Sequence, residues 1–224
     1  LVMAGEVFSE EWRDLVGEKL GQADVRYDQV SLYGTADAGV LGNETPLSIE
    51  IRRFLARNPV AARQLFGEAR LRTLGQYGPF NRFFEAKDGT LLFTGDNGVP
   101  LVRYHIADSG GIVPYDRMLA FLAGHGFDPR AGLATHGWRG VRRLPFVYVF
   151  GRADFTVSFF GAKVYPENIA VGLEQPGVRD WVTGKFVLQA IEGLDEAPCL
   201  SVTVELAPGA AAEAAKADTI ADAI

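Results

Sequence analysis

The chain has 224 residues, 48% hydrophobic, 22% charged and 11% aromatic, with a formal net charge of -6. These values exclude global disorder and leave ample chain to bury a core. With a pI near 5.1 there is no basic surplus to neutralise phosphates, so no nucleic-acid partner is expected. A single cysteine, Cys199, excludes a disulfide framework and a multi-cysteine metal site. No apolar run reaches about 18 residues, so no membrane helix is expected and a reducing, cytoplasmic setting is.

Leu1 to Gly5 reads as the interior of a strand, and Gly209 to Ile224 as an Ala-rich helix without a Gly or Asn C-cap. Both ends therefore read as cut, and the chain as a fragment of a longer protein. Ser9-Glu10-Glu11-Trp12 is an N-cap followed by acidic residues, and it opens a helix to about Leu20. Val25 to Tyr33 alternates and is expected as a strand ending at Gly34. Ser48 to Gly67 reads as one or two helices interrupted at Pro59.

Residues 70 to 112 are strand-rich, with segments at Thr73 to Gln76, Phe83 to Glu85, Thr90 to Thr94, Leu101 to Ile106 and Gly111 to Val113. Turns at Tyr77-Gly78-Pro79, Lys87-Asp88-Gly89 and Asp96-Asn97-Gly98 suggest an antiparallel meander or small barrel. Phe80, Phe83 and Phe84 read as core or as an interface, with core the favoured expectation. A short helix follows at Tyr115 to Ala123, then a polar, Gly- and Arg-rich, linker-like stretch over Gly124 to Arg143. Phe146 to Phe150 is a strand that runs into Gly151-Arg152-Ala153-Asp154. Beyond it come a strand (Thr156 to Phe160), a helix (Pro166 to Leu173), two strands (Lys185 to Ala190, Leu200 to Leu206) and the helical tail. The expected fold class is α/β (α+β), with a domain boundary near Asp154.

Four clusters at strand ends carry potential chemistry. Ala4-Gly5-Glu6-Val7 lets a flat ligand approach the backbone, or is an ordinary strand-to-helix turn. Tyr33-Gly34-Thr35-Ala36-Asp37 offers a stacking ring, close approach and a cation-holding carboxylate, or equally an Asx turn. In Arg103 to Gly110, Asp108 could accept from two vicinal hydroxyls or cap a turn. His105 reads as a satisfied sheet histidine, and no histidine pair has zinc-ligand spacing. The fourth cluster is the most specific: Gly151-Arg152-Ala153-Asp154, then Gly161 to Ile169 with Val164-Tyr165-Pro166. Arg152 supplies a planar donor fork, and Pro166 with Glu167 opens a helix. Neither a Gly-x-Ser-x-Gly elbow nor a phosphate-binding Gly-Lys-Ser/Thr loop is present.

In order and spacing these clusters resemble the adenylate-forming superfamily of acyl-CoA synthetases, adenylation domains and luciferases. Within it, the similarity points to phenylacetate-CoA ligase and coenzyme F390 synthetase-like proteins. The resemblance implies that residues 1–153 are the C-terminal part of a large adenylation domain with a strand-rich subdomain. Residues 154–224 would be most of a small mobile α+β domain. It implies ATP, Mg2+ and coenzyme A or another thiol acceptor, with a carboxylic acid, aryl or arylacetic, activated as its acyl-adenylate. Gly5, Glu6 and Tyr33 would flank adenine, with Gly34 and Thr35 beside the nucleotide; Asp108 and Arg152 would hold the ribose. Asp37 would attend the metal, Asp154 would be the hinge, and Gly161 would line the thiol path.

The chain departs from that pattern at Ala36, where a hydroxyl is usual, and at Asp37, where Glu is usual. Ser158-Phe159-Phe160 stands where related ligases carry Lys or Arg. The Ser/Thr/Gly-rich phosphate loop and the adenylation lysine would lie outside residues 1–224, so no catalytic residue is assigned and the chain alone is expected to catalyse neither half-reaction. Two alternatives stay open: a non-catalytic nucleotide-binding or interaction module, and an acyl-protein synthetase-like enzyme. The acid and the oligomeric state, a homodimer included, are not readable from the residues.

Overall fold

Helix caps and turn residues set most boundaries in the computed structural model, which describes residues 1–5, 7–69, 72–134, 141–152, 157–159, 162–192 and 198–224. Strand β1 (Val2–Ala4) precedes helix α1 (Glu10–Lys19), whose N-cap Ser9 accepts from the Trp12 amide at 3.0 Å. Where alternation predicts strand from Val25, the chain forms a helical turn, α2 (Val25–Asp28), and only then β2 (Val30–Thr35). The reason is local: the Asp24 carboxylate accepts the Arg26 amide at 3.0 Å, capping the turn before β-branched residues can extend. A short strand, β3 (Gly39–Asn43), follows; its two glycines hide it from pattern reading.

Helix α3 (Pro46–Arg57) starts two residues earlier than expected, because Thr45 and Ser48 form a reciprocal capping box. Asn58 and Pro59 break it from α4 (Pro59–Phe66). Strands β4 (Thr73–Gln76), β5 (Arg82–Lys87), β6 (Thr90–Asn97) and β7 (Val99–Val113) follow, then α5 (Tyr115–Gly124). Two segments expected as separate strands are thus one 15-residue strand, β7. The linker-like stretch also needs correction: it contains α6 (Pro129–Ala134), which buries Leu133 against α3 and α4 residues. Strand β8 (Phe146–Arg152) completes the sheet.

The eight strands order as β1-β2-β3-β4-β8-β7-β6-β5, antiparallel except for β1 with β2. Side chains alternate across β8, so its two faces belong to different cores. Phe146 and Phe150 pack with Leu47, Ile51, Met118 and Leu122 on the helix side. Val147 and Val149 pack with Leu41, Tyr77, Phe84 and Phe93 on the other. Of the three phenylalanines expected inside, only Phe84 is; Phe83 points out from edge strand β5, and Phe80, in a turn, is 98% exposed.

The chain divides into two units, Leu1–Ala153 and Asp154–Ile224. In the second, β9 (Val157–Phe159) pairs with β10 (Ala162–Val164), and β11 (Val182–Glu192) with β12 (Pro198–Leu206). Helices α7 (Pro166–Leu173) and α8 (Ala214–Ala223) meet closely at Gly172, which faces the Ala223 carbonyl. Ile169, Leu173, Val178 and Val182 form the centre of that core. Cys199 is half-buried in β12. Among the described residues no helix is long and apolar enough to cross a membrane.

A buried ion network fastens the first unit. Arg13, fully buried, donates to both oxygens of Glu44 at 2.7 and 2.8 Å and to Glu10 at 3.0 Å. Arg52 donates to Glu44 at 3.0 Å, and both guanidinia cover the Phe8 ring at 4.9 and 4.8 Å. Glu44 also accepts the Ser31 amide at 2.9 Å. Burial alone would raise the Glu44 carboxyl, but Arg52 and Arg13 outweigh it and hold it below its ordinary value. Arg72 is different. It is buried over the Phe66 ring at 4.6 Å, and its Nε and Nη1 have no hydrogen-bond partner among the described residues. Burial, then Arg52, lowers its pKa to about 10, so it stays charged at neutral pH.

Removing one partner of a buried ion group strands the other, which typically costs about 3–5 kcal/mol. Glu44→Gln is therefore expected to lose about 3 kcal/mol in urea unfolding at pH 7. A depressed carboxyl contributes above its unfolded value, about 4.3, and loses that contribution as pH falls through the folded value. The gap between wild type and Glu44→Gln should accordingly narrow below about pH 4. Arg72→Met removes an unpaired buried charge at similar volume, and is expected to be neutral or stabilising by about 1 kcal/mol in the same assay.

Candidate functional site

Parallel pairing sets Ala4 opposite Leu32, so Gly5, just past the end of β1, lies beside Tyr33 of β2. Gly34 follows in β2 at a place where a Cβ would sit 2.4 Å from the Gly39 carbonyl oxygen, so only glycine keeps β2 and β3 paired. The Thr35 hydroxyl accepts the Ala38 amide at 3.0 Å and closes the turn that carries Asp37 outward. Gly5, Tyr33, Gly34, Thr35 and Asp37 thus occupy one strand end.

Asp108 joins them from β7. The Tyr33 hydroxyl donates to its Oδ2 at 2.7 Å, and the Tyr33 ring stacks on Phe84 with centroids 6.3 Å apart. Burial, the Asp108 charge and this hydrogen bond push the Tyr33 hydroxyl far above its ordinary value, so it remains a neutral donor. Asp108 is 6% exposed and pairs through the backbone with Arg152 across β7 and β8. The Arg152 side chain lies outside the described residues, as do Glu6, Asp154 and Gly161.

In a flat sheet β2 and β7 would be roughly 19 Å apart, four strand spacings, beyond any tyrosine's reach. The sheet must therefore curl. Register shifts at Ser109/Gly110 and along β6 supply the bend, and a Cβ at Gly110 would lie 2.1 Å from the Tyr148 carbonyl oxygen. The curl brings a second tyrosine to a second carboxylate: the Tyr104 hydroxyl donates to Asp37 Oδ2 at 2.5 Å. Tyr104 is a site residue that motif reading passes over. Its signal was alternation, because the pleat that sends His105 out to Thr90 turns Tyr104 toward Phe93.

The arrangement offers a flat ring beside glycine backbone, a buried carboxylate suited to hydroxyl donors, and an exposed carboxylate nearby. Among the described residues no group of three or more His, Cys, Asp or Glu could hold a metal ion by itself.

No family model and no curated protein sequence matches the chain. Among solved structures it is similar to the anthranilate CoA ligase AuaEII in complex with anthranoyl-AMP, with a TM-score of 0.52 and 12% identity over 99% of this chain and 37% of that one. It is also similar to a mutant of the amide bond synthetase Mcba from Marinactinospora thermotolerans, with a TM-score of 0.50 and 15% identity over 99% of this chain and 39% of that one. The chain thus spans about two fifths of the length of these structures. At such identities the likeness is one of fold: the chain has the architecture of a C-terminal portion of an adenylate-forming enzyme.

The two tyrosine–carboxylate pairs differ in burial, and that decides their energetic weight. Tyr33→Phe takes a donor from a buried carboxylate and is expected to cost about 1–3 kcal/mol in urea unfolding. Tyr104→Phe acts on exposed Asp37, where water replaces the hydroxyl, and is expected to cost less than about 0.5 kcal/mol.

Proposed function

We propose that this chain is the nucleotide-binding portion of a ligase that activates a carboxylic acid with ATP. A carboxylate oxygen attacks the α-phosphorus, pyrophosphate leaves, and a thiolate such as that of coenzyme A then takes the acyl group and releases AMP. The observation that carries this reading is the Tyr33–Asp108 hydrogen bond beside Gly5 and Gly34, at one strand end of a fold shared with adenylate-forming enzymes. One of the similar structures holds an acyl-adenylate, anthranoyl-AMP. Leu1–Ala153 is, on this reading, the C-terminal part of the large adenylation domain, and Asp154–Ile224 the small mobile domain that turns at Asp154. If the resemblance of its motifs to those of phenylacetate-CoA ligases extends to the substrate, the acid is aryl or arylacetic.

In that role Gly5, Glu6 and Tyr33 flank adenine, while Gly34 and Thr35 line the nucleotide. Asp108 and Arg152 hold the ribose hydroxyls through charge-assisted hydrogen bonds. Magnesium keeps waters and nucleotide phosphates as most of its ligands and needs only one or two carboxylates. Exposed Asp37 fits that requirement, and the metal would offset phosphate charge during attack. Gly161 lies on the pantetheine path. The non-catalytic nucleotide-binding module is the second reading, favoured by Ala36, which lacks the hydroxyl usual before the acidic residue.

Calorimetric titration of the chain with AMP tests the reading. AMP is expected to bind, and Asp108→Asn to weaken it at least about 10-fold, the worth of a charged hydrogen bond. The 2′,3′-dideoxy analogue should bind wild type as weakly as AMP binds the variant. Absence of AMP binding, or equal binding by wild type and variant, would sink it. Carboxylate-dependent pyrophosphate exchange by the full-length parent separates ligase from module.

A further inference from the structure

The two tyrosine–carboxylate pairs join the same two segments, and they do so reciprocally. Tyr33 donates to Asp108, and Tyr104 donates to Asp37. Each segment thus gives the other one hydroxyl and, four residues on, one carboxylate. Both rings rest on one aromatic run. Tyr33 stacks on Phe84, Phe84 meets Phe93 with centroids 6.3 Å apart, and Tyr104 stands edge-on to Phe93 at 5.7 Å. The two hydrogen bonds form the ends of a crossed clasp with the rings between them.

The two segments differ in how firmly their surroundings hold them. Ala38, next to Asp37, is fully buried in the core with Phe84 and Phe93, and its amide is held by the Thr35 hydroxyl. The turn that carries Asp37 is therefore an anchor. The β7 segment is less well held on its β6 side, where three residues, 106 to 108, lie opposite Leu91 alone. Arg103 and Ala107 bracket Tyr104 with φ values of 48° and 64°, strained for residues with a Cβ. Relaxing either one would re-aim the strand between them, and Asp108 directly after it.

We propose that Tyr104 is a positioning residue for Asp108, acting through the course of β7 rather than by contact with a ligand. A single hydrogen bond from Tyr33 lets the Asp108 segment pivot about it. The second bond, from Tyr104 four residues earlier to the anchored turn, fixes the direction as well as the distance. Asp108 is thereby aimed before any diol arrives, and less ordering remains to be done on binding. The inference rests on the nucleotide-binding reading for its ligand, but the clasp itself does not.

Calorimetry of wild type, Tyr104→Phe and Tyr104→Ala with AMP and with its 2′,3′-dideoxy analogue tests the proposal. The Tyr33 hydroxyl proton, followed by NMR without nucleotide, supplies a second readout. Tyr104→Phe removes one hydrogen bond in reach of solvent and is expected to weaken AMP about 2-fold. Tyr104→Ala also takes the ring off Phe93 and should weaken AMP at least about 5-fold, with circular dichroism unchanged. Neither variant should alter binding of the dideoxy analogue, which has no hydroxyl for Asp108 to accept. The Tyr33 hydroxyl proton should exchange with water at least about 3-fold faster in Tyr104→Ala. Equal losses for AMP and the analogue would mean general disruption, and overturn the proposal. So does unchanged AMP affinity in both variants where Asp108→Asn weakens it, an outcome that leaves the nucleotide reading intact. If wild type binds no AMP, the nucleotide reading falls, and an unchanged Tyr33 exchange rate then overturns the positioning role on its own.

Discussion

The position of everything in the first unit traces back to one carboxylate. Glu44 stands at the junction of β3 and α3, and it accepts from α1 through Arg13, from α3 through Arg52 and from the β2 backbone through Ser31. Four elements that hydrophobic packing alone could slide are thereby held in one register. Two buried guanidinia and two buried carboxylates, Glu10 included, balance in charge, which is the condition under which a buried ion group is tolerated. Apolar residues of like volume could match its stability, so the network's distinctive contribution is directional. It orients β2, and through β2 the strand end where Tyr33, Gly34 and Thr35 emerge.

A second constraint acts from the opposite side of the sheet. β7 is a single strand in sequence but bends sharply enough to belong to two surfaces, one paired with β6 and one with β8. Arg103 and Ala107 take positive φ values of 48° and 64° in this strand, a conformation that costs a non-glycine residue roughly 1–2 kcal/mol. The aromatic run from Tyr33 through Phe84 and Phe93 to Tyr104 lies under the bend and offsets that cost. Straightening β7 would relieve two residues, expose four rings, and part both carboxylates from their tyrosines. The strained backbone and the site geometry are one feature.

What could be read from the residues alone follows from how local each signal is. The Ser9 cap, the Pro59 break and the Pro166 start act within one turn, and the structure places helix boundaries within two residues of them. Alternation misleads at Val25 because the Asp24 side chain settles the backbone two residues on. β3 and α6 escaped because glycines and arginines dilute their apolar periodicity, although Leu41 and Leu133 are both fully committed to cores. Tyr33, Asp37 and Asp108 were nameable from their motifs. That the two carboxylates would face tyrosine hydroxyls is not legible there, because residues 33 and 108 meet only after the three strands between them curl. The Glu44 network was equally invisible, since charge spacing in sequence says nothing of burial.

The Tyr33–Asp108 pair shapes how a diol could be bound. An ionised carboxylate has about four acceptor positions, and Tyr33 takes one of them without neutralising the charge, because its own proton is held too tightly to transfer. The tyrosine therefore restrains the carboxylate as a neutral donor, without taking up its charge. Two vicinal hydroxyls arriving at such a group need not displace the tyrosine, and the entropy of fixing the Asp108 side chain has already been lost in folding. Asp37 is arranged in the opposite sense. Its tyrosine partner sits in solvent reach, where water competes on nearly equal terms, so Asp37 can exchange that hydroxyl for a cation at small cost. One strand end thus presents a rigid acceptor and an exchangeable one, and the difference between them is burial.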